Sequence, residues 1–302
     1  MPHHISPTSS KVGDHLDYLN RKLDQLSSLT RIDKLQIVVM ASYPVTLLLG
    51  QLISLLSPEE TASNYFTTKR NVFNVVFVKK GWLWTSIFYF IMLVNVYESQ
   101  RNTDQVVFRR KLFNSVKKYV IVTACWYFYS QWFFGVPIMD KIFLLTGGSC
   151  NNIPEEWLDN ELLKDVQISS SPSSTYYSTC LSSKQCRSIK GRWDGGHDPS
   201  GHVFLLTLSS SFLLSELFTF YTTADLVERY RMMVNHVRVR YRQGNYLDIV
   251  KHLVMSNGYL LLIGIVGLWY WMLLMTSIYF HSVSEKVVGL MFSYATTVLS
   301  SY

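Results

Sequence analysis

This chain has 302 residues, of which 48% are hydrophobic and only 16% charged. Soluble domains carry roughly 25% charge, so the composition excludes an ordinary soluble domain and points to a polytopic membrane protein. The net charge of +7 is mild, and in such a chain Lys and Arg report topology first, which gives no ground for a nucleic-acid partner.

Residues 1–34 form a polar tail of mixed charge without a secretory apolar core and cleavage site, so the first span is expected to insert uncleaved. Six apolar runs follow, at residues 35–56, 82–96, 119–139, 202–221, 258–280 and 287–301. Lipid leaves helices or a closed barrel as spanning structures, and no alternating strand pattern is present, so every run is read as helical. Pro137 is expected to bend or end the third. The fold class is therefore an all-α polytopic membrane protein: a cytosolic tail, 1–34, and one six-span membrane domain, 35–302.

Lys and Arg number five in the tail, six in 98–118 and six in 222–257, against eleven spread over the other side. The positive-inside rule then puts both termini in the cytosol and the long loop 140–201 in the lumen. That loop carries a Ser-rich stretch, 168–175, and Cys150, Cys180 and Cys186. In an oxidising lumen, Cys186 is expected to pair with either Cys150 or Cys180. The basic loop 222–257 contains an Arg-rich amphipathic segment, 224–241, suited to anionic lipid on the cytosolic face.

Before the fourth run lies the densest chemistry in the chain, G-R-W-D-G-G-H-D-P-S-G-H-V-F from Gly191 to Phe204. Asp198-Pro199-Ser200-Gly201 is a good helix start, and a helix N-terminus offers free N–H groups to phosphate. His202 stands in that first turn. His281, at the end of the fifth run, falls on the same side of the membrane. Glu216 lies fourteen positions after His202, near four helical turns and so on nearly the same face. A carboxyl inside a span is costly and by default functional; the competing reading is a protonated Glu bonded to a neighbouring helix. His197 reads as a locally bonded loop residue, and His236 and His252 as cytosolic and uninvolved in catalysis.

Pro199-Ser200-Gly201-His202 resembles the P-S-G-H element of the lipid phosphate phosphatase superfamily. The run K-R-N-V-F-N-V-V-F-V-K-K-G-W-L-W-T from Lys69 to Thr85, the knot, and Tyr279-Phe280-His281 together resemble the fat storage-inducing transmembrane family, including its yeast members. That resemblance implies an endoplasmic reticulum protein that supports lipid droplet formation and ER membrane homeostasis. It implies a fatty acyl-CoA diphosphatase that yields acyl 4′-phosphopantetheine and adenosine 3′,5′-bisphosphate, with no cofactor and no metal. By motif, His281 is the nucleophile and His202 the general acid, jobs that suit a group titrating near the working pH.

The chain departs from the superfamily pattern in lacking an arginine before His281, and its lysine–arginine–proline motif is not intact. Glu285 replaces the expected aspartate four residues after His281 and is available to hold the imidazole tautomer. Lys79 and Lys80 are the first candidates for the phosphate charge, with Arg192 and Arg70 behind them. Ser200 and Gly201 are expected to offer the helix start to substrate, with Asp198 in support; Asp198 and Asp194 also suit simple turn and cap roles. The alternative reading is a non-catalytic protein that binds di- or triacylglycerol among ER lipids. The paired lumenal histidines discriminate, since a pure binder has no need of them.

Overall fold

The computed structural model describes residues 7–30, 32–57, 64–68, 70–99, 104–131, 136–157, 169–170, 176–177 and 182–301. Lys69, Cys180 and residues 168 and 171–175 of the Ser-rich stretch lie outside the described residues. The described residues are mainly helical; five of the six apolar runs coincide with long helices, whereas the third, 119–139, is helical in α4 only to Ser130, before Pro137, and its residues 132–135 lie outside the described residues. The helices of the six runs are α2 (Lys34–Leu56), α3 (Gly81–Ser99), α4 (Gln105–Ser130), α7 (Gly201–Phe220), α10 (Gly258–Tyr279) and α11 (Val283–Ser300). By length and composition, α2, α7 and α10 are long and apolar enough to cross a membrane.

The centre of the bundle is α7. Of its apolar window 72% is buried inside the protein, against 17% for α2, so α7 is the axis and α2 an outer helix. Around it, α11, α10, α3, α2 and α4 all make contact with α7. The outward face of α2 presents Leu48, Leu49, Leu52, Leu55 and Leu56, side chains left exposed among the described residues and suited to lipid. Aromatic packing fixes α4 against its neighbours. Trp126 stacks on Trp82 of α3 at 5.3 Å, and Tyr129 lies 4.0 Å from Phe204 of α7 and 4.9 Å from Phe292 of α11 between ring centroids.

Two elements extend past their expected bounds. A helix α1 (Pro7–Thr30) occupies the polar tail. The basic stretch before the third run is mostly helix as well, because α4 starts at the Asp104 cap and carries Arg109, Arg110, Lys111, Lys117 and Lys118 before its apolar part. Pro137 caps a separate short helix, α5 (Ile138–Leu145). In the basic loop, α8 (Thr223–Arg242) and α9 (Tyr246–Ser256) fold back on each other across Gly244, where φ is +71°. No residue of α8 is buried.

The long loop builds a small cap. Strand β1 (Ser149–Asn151) pairs antiparallel with β4 (Arg192–Asp194), Cys150 opposite Trp193. A second ribbon joins β2 (Ser169–Ser170) to β3 (Tyr176–Tyr177). Helix α6 (Ser183–Ser188) brings Cys186 into a disulfide with Cys150, which settles the pairing in favour of Cys150. A side chain at Gly191 would run into both sulfurs, so only glycine lets the knot lie against the bridge. Phe143 of α5 stacks on Trp193 at 4.2 Å, and Gly196 packs on the backbone of Phe143 and Gly148. Buried Asp140 accepts the Ser183 N–H at 2.9 Å and so ties α5 to α6. Burial pushes its carboxyl above the usual range against those bonds.

Candidate active site

His202 and His281 each sit where a helix begins or ends. His202 is the second residue of α7, whose N-cap Ser200 is fully buried and accepts the Val203 N–H at 3.3 Å. His281 lies in the three-residue connector between α10 and α11. Its φ is +61°, a left-handed backbone that a side chain disfavours and that the surroundings must hold. Immediately after it, Ser282 and Glu285 form a capping box: the Ser282 N–H donates to Glu285 Oε2 at 2.7 Å, and the Glu285 N–H donates to Ser282 Oγ at 3.4 Å.

Glu285 joins the two motifs. Its Oε1 accepts the Asp198 N–H at 3.1 Å. Its backbone carbonyl accepts the Ser200 N–H, also at 3.1 Å. Its Oε2 lies 3.5 Å from His281 Nδ1. One turn on, Gly289 is pressed against the start of α7: a Cβ there would stand 2.6 Å from the Ser200 carbonyl oxygen and 3.4 Å from the Phe204 nitrogen. Thus α7 and α11 begin side by side, and His202 and His281 stand at the same end of adjacent helices. Burial alone would raise the Glu285 carboxyl. The Ser282 and Asp198 donors and the nearby His281 outweigh it and hold the group below its ordinary value.

The remaining expected residues divide into two groups. Lys79 and Lys80 form an exposed turn between the π-helix Phe73–Val78 and α3. The next residue, Gly81, packs on Leu205, three positions beyond His202, with a Cβ there 2.9 Å from Leu205 Cδ2. This brings the lysine pair to the histidine end of α7. Ser200 and Gly201 are there too, but the Ser200 hydroxyl is spent on the cap, and Gly201 lies against Met139. Arg192 is exposed, and its Nε is 2.7 Å from Asp194 Oδ2, while Asp194 also accepts from Asn151. That cation serves the β1–β4 ribbon. His197 donates its backbone N–H to Thr146 Oγ1 at 2.8 Å. Its Nε2 is buried without a hydrogen-bond partner among the described residues.

Glu216 is not brought to the histidines. Fourteen residues of α7 separate it from His202, about 21 Å along the axis. Its side chain is fully buried and faces Lys118 of α4, with Nζ 3.4 Å from Oε1. Nearby is a cavity of about 180 Å³ lined in part by Lys118, Ser215 and Gln36. In the basic loop, His236 stacks on His252 at 3.9 Å and reaches Asp248 at 3.1 Å. These two histidines are thereby held in an α8–α9 hairpin, away from the knot.

Sequence reasoning passed over Lys286, which is 4% exposed and lies between α2 and the end of α10. The only trace of it in the sequence is a cation directly after Glu285.

Residues 62–300 match the model of the family described as fat storage-inducing transmembrane protein. Acyl-coenzyme A diphosphatase fit1 of Schizosaccharomyces pombe is 31% identical over 87% of this chain and 83% of its own length. Acyl-coenzyme A diphosphatase SCS3 of Saccharomyces cerevisiae is 26% identical over 85% of this chain and 93% of its own. The human acyl-coenzyme A diphosphatase FITM2 is 30% identical, covering 82% and 74%. No solved structure matches the chain.

Proposed function

The chain belongs to the fat storage-inducing transmembrane family, and from that premise we propose that it is a membrane-bound fatty acyl-CoA diphosphatase. It cleaves the pyrophosphate of acyl-CoA to acyl 4′-phosphopantetheine and adenosine 3′,5′-bisphosphate. The substrate is the one named for the fission yeast, budding yeast and human relatives. The setting is a six-span domain of the endoplasmic reticulum with both termini cytosolic and the histidines lumenal, supporting lipid droplet formation.

The observation that carries the chemistry is the double engagement of Glu285 with Asp198 and His281. A carboxylate beside Nδ1 favours the tautomer that keeps the proton there and leaves Nε2 free to attack. His281 Nε2 forms a bond to one phosphorus of the pyrophosphate as the bridging P–O bond breaks. His202 gives its proton to the departing oxygen. Water then cleaves the P–N bond and releases its proton to solvent, from which His202 is reprotonated, so that both side chains are restored. Lys79 and Lys80 meet the phosphate charge, and the N–H groups at the start of α7 add to it.

The test is direct. Purified protein is incubated with oleoyl-CoA and the products are identified by mass spectrometry. Oleoyl 4′-phosphopantetheine and adenosine 3′,5′-bisphosphate in equal amounts are expected. Release of oleate and intact coenzyme A would instead make the protein a thioesterase and overturn the proposal.

A further inference from the structure

Lys286 is a buried cation at the start of α11, and burying one is costly unless its protons are used. Two acceptors use them: the Ser277 carbonyl at 2.6 Å and Gln51 Oε1 at 2.9 Å. Ser277 is in the last turn of α10, whose carbonyls have no partner within the helix. Lys286 belongs to the first turn of α11, and its own N–H donates to the Ser282 carbonyl at 3.2 Å. The side chain therefore clamps both ends of the connector that holds His281.

The third member, Gln51, brings in α2 at a close crossing. Ser277 Oγ donates to the Leu47 carbonyl at 2.7 Å, and a Cβ on Gly50 would lie 2.5 Å from Ser277 Cβ. Such a crossing fixes Ser277 against α2. His281, four residues on, then takes its left-handed backbone between two fixed points. Burial pulls the Lys286 ammonium below the usual lysine range, and the adjacent Glu285 pulls the other way.

We infer that Lys286 is a positioning residue for hydrolysis: by bridging Ser277 and Gln51 it holds the His281 connector in the conformation that aims the imidazole. This rests on the proposed role of His281. It assigns no contact between Lys286 and substrate.

The experiment measures kcat and KM for oleoyl-CoA with Lys286→Met, Gln51→Leu and His281→Ala beside the parent. Lys286→Met keeps an unbranched side chain as far as Cε and removes its donors. Its kcat should fall by about 10- to 100-fold, the size of loss that an ångström of misplacement brings, with KM within about twofold. Gln51→Leu leaves the Ser277 bond in place and should lower kcat by a smaller factor, again without moving KM. Parental kcat in folded Lys286→Met overturns the inference, and so does a loss seen in KM alone. Should Lys286→Met fail to insert, Gln51→Leu decides: parental kcat there also overturns it. The His281→Ala arm separates the two readings. Parental activity in that variant removes the role of His281 itself. A dead His281→Ala beside a fully active Lys286→Met removes only the clamp.

Discussion

The backbone N–H of Asp198 donates to the carboxylate of Glu285 at 3.1 Å, across 87 positions of sequence. That bond joins the glycine-rich knot to the connector carrying His281, because the other Glu285 oxygen takes the Ser282 N–H and faces His281. Glu285→Gln keeps the size and one acceptor but removes the charge. We expect kcat to fall by roughly 10- to 100-fold, with most of the protein still folded, since the amide oxygen can replace one carboxylate acceptor. Steady-state kinetics on oleoyl-CoA check it; a parental kcat would deny Glu285 any part in orienting His281.

The same carboxylate makes stability depend on pH. Its folded pKa is depressed, so its contribution is fully present above the unfolded glutamate value of about 4.3 and is lost as pH falls through the folded value. Thermal unfolding in detergent, followed from pH 7 down to pH 3, should show a parental loss below about pH 4.5 that is smaller in Glu285→Gln. Superimposable curves would mean that the bonds to Asp198 and Ser282 contribute nothing to folding.

The cap built by the long loop depends on its disulfide. Cys150 and Cys186 are 36 residues apart, and closing a loop of that size typically stabilises by about 2–4 kcal/mol. Cys150→Ser should lower the unfolding temperature and match the parent treated with reductant. Peptide mapping without reductant should recover Cys150 joined to Cys186. A Cys180-linked peptide in its place would contradict the pairing.

Much of this was open to reading in the sequence. Long apolar runs are their own signal in lipid, and the α2, α3, α7 and α10 helices begin within a residue of the runs that predict them. The front of α4 was hidden because Arg109, Arg110 and Lys111 interrupt hydropathy without interrupting the helix. Spacing could not choose between Cys150 and Cys180, since pairing depends on the β1–β4 ribbon that brings Gly191 against the bridge. In the site, the four-residue step from His281 to Glu285 was visible. The bond from Glu285 to Asp198 was not, because nothing local encodes a partner so distant. Lys286 counted only as a charge for topology; its work is a contact with α2, which periodicity cannot reveal.

Orientation in the membrane is open to a direct check. The Lys and Arg count motivates a lumenal loop 140–201 and cytosolic α8–α9 hairpin. A glycosylation sequon introduced at Ser173 should be modified in microsomes, and one introduced at Asn245 should not. The opposite pattern would reverse the topology and move the histidines to the cytosol.

The two histidines should fail in different ways. His281 is held with its Nδ1 toward Glu285; the proposed mechanism makes Nε2 the attacking atom, and His281→Ala removes it. Hydrolysis of oleoyl-CoA should vanish, and no change of leaving group should restore it. His202 lies in the first turn of α7; in the proposed mechanism it supplies a proton to the departing oxygen, and losing a general acid costs roughly 10²–10⁴-fold. That cost depends on how badly the leaving group needs the proton. A phosphate ester of a nitrophenol leaves readily as its anion, so His202→Ala should recover much of the parental rate on that substrate while His281→Ala stays inactive. Both variants alter residues at the ends of α7 and α10 rather than in the packed core, so both should insert and run as the parent does on size exclusion. A folded His281→Ala protein that hydrolyses oleoyl-CoA at the parental rate would refute the nucleophile. Equal losses for His202→Ala on oleoyl-CoA and on the aryl phosphate would refute the acid.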